Sequence, residues 1–449
     1  MPADVLVSSY AECVNPQWVR LLDLLNMNVR YERCRGAELF SVDGERYLDF
    51  LSGYCVHNTG HNHPRIVAAL QDELERCGPV MLQSHVPELA GELAERLCRL
   101  AGGKLTKAFF ASSGSEGVET AIKFARAFTR RNGLLYAHGA FHGLTCGALS
   151  LMDNGFWRDG FGPMLPETEA IPFNDLDALE EKLRSRKFAA FFIEPIQSEG
   201  GIRVPSPQYL AQAQQLCRRY GTLLVLDEVQ TGMFRTGRFL AAHHYNVAPD
   251  MVVLAKALSG GLVPVSAVLM TDEIYDAVYG SPRRAIVHTS TFSENGLAMR
   301  AGMATLDVLE DERLGDRAIH LGERLRHDLT AALSRFEMFA SAPGMGLLCG
   351  IEFAEPSSLT LKVPFTAFRA IHPGMFAQMI VMRLFSQEKV LTQVCGNNFM
   401  VLKAAPPLVV DERQIAEFIA AVERVFTAVH SSSAFWSDAL KLVRRTINI

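Results

Sequence analysis

The chain has 449 residues, 49% of them hydrophobic, enough for a large buried core and for two or three domains. Lysine plus arginine number 44 and aspartate plus glutamate 49; the net charge of −5, without a long basic run, speaks against nucleic-acid binding. No apolar stretch reaches the roughly 18 residues of a membrane span, the start MPADVLVSSYAECVNP lacks the pattern of a secretory signal, and nine dispersed cysteines without CxxC pairing read as reduced thiols of a cytoplasmic protein.

In chain order, an amphipathic segment is expected near 17–27, strands near 38–42 and 47–51, and a helix over 64–77 with proline in its first turn and Gly78 just past its end. Short apolar runs at 107–111, 133–137, 189–193, 222–226, 251–255 and 266–270 read as buried strands. Helical patterns at 117–129, 177–185 and 206–220 lie among them, and this alternation predicts a mostly parallel, doubly wound sheet. Helices dominate 296–336. Strands follow near 347–353 and 400–404, and a helix near 412–429. The fold class is therefore α/β. A large domain over 79–325 is expected beside a smaller α+β domain built from both chain ends, 1–78 and 326–449. Residues 355–374, with prolines and polar residues, read as a long loop. Residues 431–449 read as a weakly amphipathic tail that packs on the body or on a partner subunit.

The chemistry concentrates at strand ends. The run LLVLDEVQTG delivers Asp227 to the carboxyl end of a buried strand, where open α/β sheets bind ligands. Alone, Asp227 reads more readily as a turn or helix cap. A second apolar strand, VVLAKALSGG, delivers Lys256. A lysine among alanines and leucines is either a snorkelling surface cation or a desolvated amine with a lowered pKa, nucleophilic toward an aldehyde. The pair tips the reading. Pyridoxal phosphate needs a lysine to hold its aldehyde and an acid to keep its pyridine nitrogen protonated. Ser112, Ser113, Gly114 and Ser115 open a helix with small residues that let backbone N–H groups approach a phosphate, although such starts are also ordinary N-caps.

Eight segments in order carry a resemblance: YLDFLSGYCVHNTGHNHP, FFASSGSEGVETAIKFAR, GAFHG, FIEPIQSEGG, LLVLDEVQTGMFRTG, PDMVVLAKALSGG, HTSTFSENGLA and KAAPPLVV. The sequence resembles the class III, or ω-, aminotransferases of pyridoxal-phosphate fold type I, over residues 15 to about 429. Within that family it is most similar to putrescine- and ornithine-type members. The resemblance implies a large domain with a seven-stranded-type sheet flanked by helices. It implies that Lys256 anchors pyridoxal 5′-phosphate and shuttles the proton, that Asp227 pairs with the pyridine nitrogen, and that Gln230 bonds the ring hydroxyl. Gly114 and Ser115, with Ser113 beside them, would hold the phosphate. Phe141 would stack on the ring, unless it is ordinary core. His142 belongs to the same cofactor segment, and Glu194 would sit near the ring and Asp227. Thr291 would reach the cofactor phosphate of a neighbouring subunit, which implies a homodimer with shared active sites.

Substrate-binding roles fall by the same resemblance on Tyr54, Glu199 and Lys403. Tyr54 reads equally well as a half-buried strand tyrosine. Family members often carry arginine where this chain has Lys403, held in check by the glutamate matching Glu199. Lysine offers a point charge instead of a bidentate fork. Leu144 and Pro343 also depart from the pattern. The implied activity is transfer of an amino group from an amine or ω-amino acid, such as a diamine or ornithine-like donor, to 2-oxoglutarate or pyruvate. An aminomutase or epimerase on the same scaffold, and a non-catalytic binding protein, are the alternatives. Arg369 is a further candidate for holding a carboxylate.

Overall fold

In the computed structural model, residues 9–79, 81–82, 84–371, 374–431 and 436 are described. Three short strands open the chain: β1 (Tyr31–Arg35), β2 (Glu38–Ser41) and β3 (Arg46–Asp49). Seven strands then form the large sheet: β4 (Lys107–Ala111), β5 (Gly133–Ala137), β6 (Thr168–Ile171), β7 (Phe188–Ile193), β8 (Leu223–Asp227), β9 (Met251–Leu254) and β10 (Ser266–Met270). Their spatial order is β4-β10-β9-β8-β7-β5-β6. The expected mostly parallel seven-stranded sheet is thus present, with β10 its one antiparallel strand. Because β4 and β9 both run antiparallel to β10, they are parallel to each other.

Both faces of this sheet are covered, which explains why its central strands are apolar throughout instead of alternating. Side chains of successive strand residues point to opposite faces. Val225, Val253 and Val268 pack with Val118, Ile122 and Ala125 of the helix Gly114–Thr129. Leu224, Leu226, Val252 and Leu254 face the other way and join the main core with Leu210 and Cys217 of the helix Tyr209–Tyr220.

The rest of the chain adds β11 (Phe339–Ser341), β12 (Gly344–Met345), β13 (Leu348–Phe353), β14 (Val390–Leu391), β15 (Gln393–Cys395) and β16 (Asn398–Ala404). One sheet runs β11-β13-β16-β15, with β12 on β13. Strand β14 leaves that region and pairs in parallel with β3, Val390 opposite Leu48, so both chain ends share one small sheet.

Two expectations change. Residues 355–374 are not a loop: the helix Leu359–Ile371 occupies most of them, with Pro364 inside it. Leu361, Phe365 and Phe368, spaced four and three apart, are buried on one face. Phe365 meets Phe376 at 5.2 Å and Phe368 meets Trp436 at 5.7 Å, so packing overrides the proline. The helix expected from residue 117 begins at Gly114, one turn earlier, because the Ser113 hydroxyl caps it by accepting from the Glu116 N–H at 3.2 Å. Strand β6 and the helix Glu88–Ala101 are additions. The tail from 431, apart from Ser431 and Trp436, lies outside the described residues, among which no helix is long and apolar enough to cross a membrane.

Candidate active site

The parallel strands of the large sheet end at one edge, and most of the expected site residues sit just past those ends. β4 leads to Ser113–Ser115, β5 to Phe141 and His142, β7 to Glu194, β8 to Asp227 and Gln230, and β9 to Lys256. All of them line one cavity of about 500 Å³. Strands β7, β8 and β9 are direct neighbours, so Glu194, Asp227 and Lys256 are set side by side by sheet order alone.

Lys256 follows β9 with φ at +48°, a left-handed backbone that costs an L-residue roughly 1–2 kcal/mol. Burial holds its ammonium pKa below the usual lysine range. Asp227 ends β8. Its Oδ1 accepts from the Val229 N–H at 3.1 Å, and its Oδ2 lies 2.8 Å from Nδ1 of His142. Burial alone would lower the pKa of that imidazole, but the hydrogen bond and charge of Asp227 raise it above the usual value. Glu194 spends its oxygens on backbone: one accepts from Phe141 N–H at 3.1 Å, the other from Ser198 N–H at 3.2 Å. It therefore fixes the segment that carries Phe141. Burial pushes its pKa up to about 7, with His142 opposing.

At the opposite end the helix Gly114–Thr129 starts, offering the unpaired N–H groups of its first turn. A Cβ on Gly114 would lie 3.0 Å from Val229, so the residue is tight against β8's extension. The Ser115 hydroxyl accepts from the Leu144 N–H at 3.2 Å. Gly143, at φ +120°, passes so close that a Cβ there would fall 2.1 Å from Ser115 Oγ. Only glycine fits that crossing.

Tyr54, Glu199 and Lys403 form a second cluster around the Gln230 side of the cavity. Gln230 Nε2 donates to Glu199 Oε1 at 3.1 Å. The same oxygen pairs with the fully buried Lys403 ammonium, and Glu199 Oε2 accepts from the Gly396 N–H at 2.9 Å. Burial opposes ionisation of Glu199, yet Lys403 holds its pKa below the usual carboxylate range, and Glu199 raises that of Lys403. The Lys403 ammonium sits 5.1 Å from the Tyr54 ring centroid. Tyr54 is not in a strand. Ser52, Gly53, Tyr54 and Cys55 all have positive φ, a full left-handed turn. Asp49 Oδ1, accepting from the Leu51 and Ser52 N–H groups at 2.8 Å each, and the Ser52 hydroxyl, donating to Ala405 O at 2.7 Å, hold it.

The remaining candidates lie apart. Thr291 is exposed and lines a separate cavity of about 680 Å³ with Ser290, Ser293 and Glu294. Arg369 pairs with Glu355. Pro343 O accepts from Gly350 N–H at 2.8 Å in the β11–β13 region, and Leu144 is exposed. Sequence reasoning missed Trp157 and Asn397. Asn397 Oδ1 accepts from Trp157 Nε1 and from Asn154 Nδ2, both at 2.9 Å, and Trp157 meets Phe141 edge-on at 5.4 Å. No spacing signals a contact between residues so distant in the chain.

The cavity fits pyridoxal phosphate. Gln230 Oε1 is buried without a partner, an acceptor awaiting a hydroxyl. The helix start at Gly114 suits a phosphate, and Lys256 and Asp227 supply the amine and the acid. A parallel α/β sheet with lysine and aspartate on adjacent strand ends defines the class: a pyridoxal-phosphate fold of type I. The chain belongs to the class III aminotransferases, whose family model, "Aminotransferase class-III", matches residues 23–426. The cofactor of that family is pyridoxal 5′-phosphate. The chain is similar to the aminotransferase PigE of Serratia sp. (strain ATCC 39006), 34% identical over 447 residues that cover 93% of this chain and 52% of that protein. It thus spans about half the length of this curated relative. Among solved structures it is similar to ornithine aminotransferase from Toxoplasma gondii ME49, with TM-score 0.80, 33% identity and coverage of 90% and 91% of the two chains. Acetylornithine aminotransferase from Elizabethkingia anophelis gives TM-score 0.73, 31% identity and coverage of 92% and 98%.

Proposed function

We propose that this protein is a pyridoxal-phosphate-dependent transaminase that takes an amino group from an amine or ω-amino acid and passes it to 2-oxoglutarate or pyruvate. The observation that carries the reading is the placement of Lys256 and Asp227 on adjacent strand ends in one cavity with Gln230 Oε1 unpaired. When bound, the cofactor would supply an electron sink for the reacting carbon. Lys256 Nζ would hold the cofactor and, when free of it, would be the base for the proton on the amine-bearing carbon; burial, which lowers its pKa, favours that role. Asp227, oriented by His142, would keep the pyridine nitrogen protonated. Glu194, which fixes the segment that carries Phe141, would set that ring against the cofactor, and Gln230 Oε1 would accept from the ring hydroxyl. Gly114, Ser115 and the Ser113 cap would hold the phosphate.

Lys403 is already neutralised by Glu199, which favours donors that bring no carboxylate, diamines among them. The protein is a homodimer in this reading. The exposed Thr291 and the exposed apolar Ile286 and Phe292 near it support a role at a partner's site. Nine free thiols support a cytoplasmic location.

The test is a donor panel with 2-oxoglutarate and with pyruvate. Purified protein should be yellow, borohydride should fix the cofactor on the Lys256 peptide, and at least one amine should bleach the band and form a new amino acid. A coloured protein that isomerises its substrate without net amine transfer is a mutase or epimerase. A colourless protein that gains no band with added cofactor ends both readings. Sedimentation of the holoenzyme should give twice the chain mass.

A further inference from the structure

Trp157 flanks the residue assigned to the cofactor face. Its ring meets Phe141 edge-on at 5.4 Å and 80°. On its far side its Cζ2 approaches Gly396, where a Cβ would lie 3.4 Å from that carbon and 3.3 Å from Glu199 Oε2. The indole therefore spans from the residue assigned to the cofactor face to the Glu199–Lys403 pair. Its only polar atom is spent, since Nε1 donates to Asn397 Oδ1 at 2.9 Å. What remains to meet a substrate is hydrocarbon.

Asn397 fixes that orientation. Its Nδ2 donates to Gly139 O at 3.1 Å and Ala140 O at 3.0 Å, and its backbone N–H donates to Glu199 O at 2.9 Å. The neighbouring polar groups are equally committed. Glu199 is taken by Lys403, Gln230 and the Gly396 N–H, and Lys403 is fully buried beneath Tyr54. Tyr54 and Leu144, which follows Gly143 of the cavity lining, are exposed. With its polar groups committed, the flank beside Phe141 offers apolar surface.

We propose that Trp157, pinned by Asn397, determines the substrate class of the site as a primary amine on an apolar carbon chain. This rests on the transaminase reading and narrows it. Trp157 is a specificity-determining residue and Asn397 a positioning one.

The experiment is a single-turnover ladder with the holoenzyme. Loss of the cofactor absorbance is followed with n-propylamine, n-butylamine, n-pentylamine and n-hexylamine, and with 4-aminobutanoate. In the natural protein each added methylene should raise the apparent second-order rate constant about threefold to fourfold, the value of a buried methylene, and 4-aminobutanoate should be the poorest donor. Trp157→Ala should flatten the ladder to less than about twofold per methylene, through apparent affinity and not the limiting rate, while Trp157→Phe keeps it. Asn397→Ala, which leaves the indole intact but unpinned, should also flatten it, and it decides the matter should Trp157→Ala fail to fold. A flat ladder in the natural protein, or variants that slow every donor equally, overturns the assignment while leaving transamination intact. A natural protein that no amine bleaches overturns the transaminase reading and this assignment with it.

Discussion

His142 Nδ1 lies 2.8 Å from Asp227 Oδ2, in a place where both side chains are buried and the other imidazole nitrogen has no partner. The histidine holds the acid that is proposed to face the pyridine nitrogen. Leaving one oxygen of a buried carboxylate unpaired costs about 1–3 kcal/mol. His142→Phe should therefore lower cofactor affinity roughly tenfold to a hundredfold while the protein stays folded. Asp227→Asn should do more, since it removes the charge itself, slowing turnover about a hundredfold to a thousandfold. Titration with pyridoxal phosphate, followed by steady-state kinetics, separates the two effects.

Lys256 makes a pH prediction. Its folded pKa is lowered by burial, so the unprotonated amine accumulates at lower pH than for a free lysine. The proton-transfer rate, read by single-turnover decay with a deuterated and an undeuterated amine, should rise with pH and level off at lower pH than an unburied lysine would give. Lys256→Ala should lose about a hundredfold to ten-thousandfold, and added primary amines should restore part of it. A plateau reached only at ordinary lysine pKa values would show that burial does not tune this residue.

The Glu199–Lys403 pair separates substrate choice from stability. Removing one partner leaves the other charge buried, so Lys403→Met and Glu199→Gln alone should each cost about 3–5 kcal/mol, whereas the double variant should recover most of it. Urea unfolding of all four proteins gives the coupling energy. Lys403→Arg keeps the charge but adds a two-pronged donor. Its KM for 2-oxoglutarate should fall several-fold while KM for the amine donor is unchanged. Equal changes in both would place Lys403 outside carboxylate recognition.

Glu228, next to Asp227 but bonded to the backbone of 241–242, provides a test of stability. Its carboxylate accepts from Ala241 and Ala242 N–H groups at 3.0 and 2.8 Å, and burial still pushes its pKa up to about 7. The folded state then binds a proton that the unfolded state, with a pKa near 4.5, has released. Stability should fall as pH rises from about 4.5 to about 7 and then level. Glu194, raised likewise to about 7, adds to the same slope. Glu228→Gln should reduce that slope, measured as urea midpoint against pH. An unchanged slope would mean that Glu228 is ionised in the folded protein at all these pH values.

Much of the large sheet was legible in the sequence, because β7, β8 and β9 are buried on both faces and so read as unbroken apolar runs. Lys256 and Asp227 were legible for the same reason: a charged residue at the end of such a run needs a purpose. The helix Leu359–Ile371 was not, since Pro364 and its polar neighbours argue for a loop until Phe376 and Trp436 are in place. The turn at Tyr54, open in the sequence between pocket lining and half-buried strand, was not legible, because its four successive left-handed residues are set by hydrogen bonds donated to Asp49 and to Ala405 O and leave no mark in composition.

The sequence by itself determined the strand ends, the lysine and acid they deliver, and the glycine and serines that open a helix at the cavity, since each is a local consequence of apolar periodicity and residue size. Tertiary structure alone decided which side chains hold those groups. His142 reaches Asp227 across 85 residues, Lys403 reaches Glu199 across 204, and Asn397 reaches Trp157 across 240. A hydrogen bond or ion pair between distant residues depends on how sheets and loops are brought together, and no local pattern encodes that.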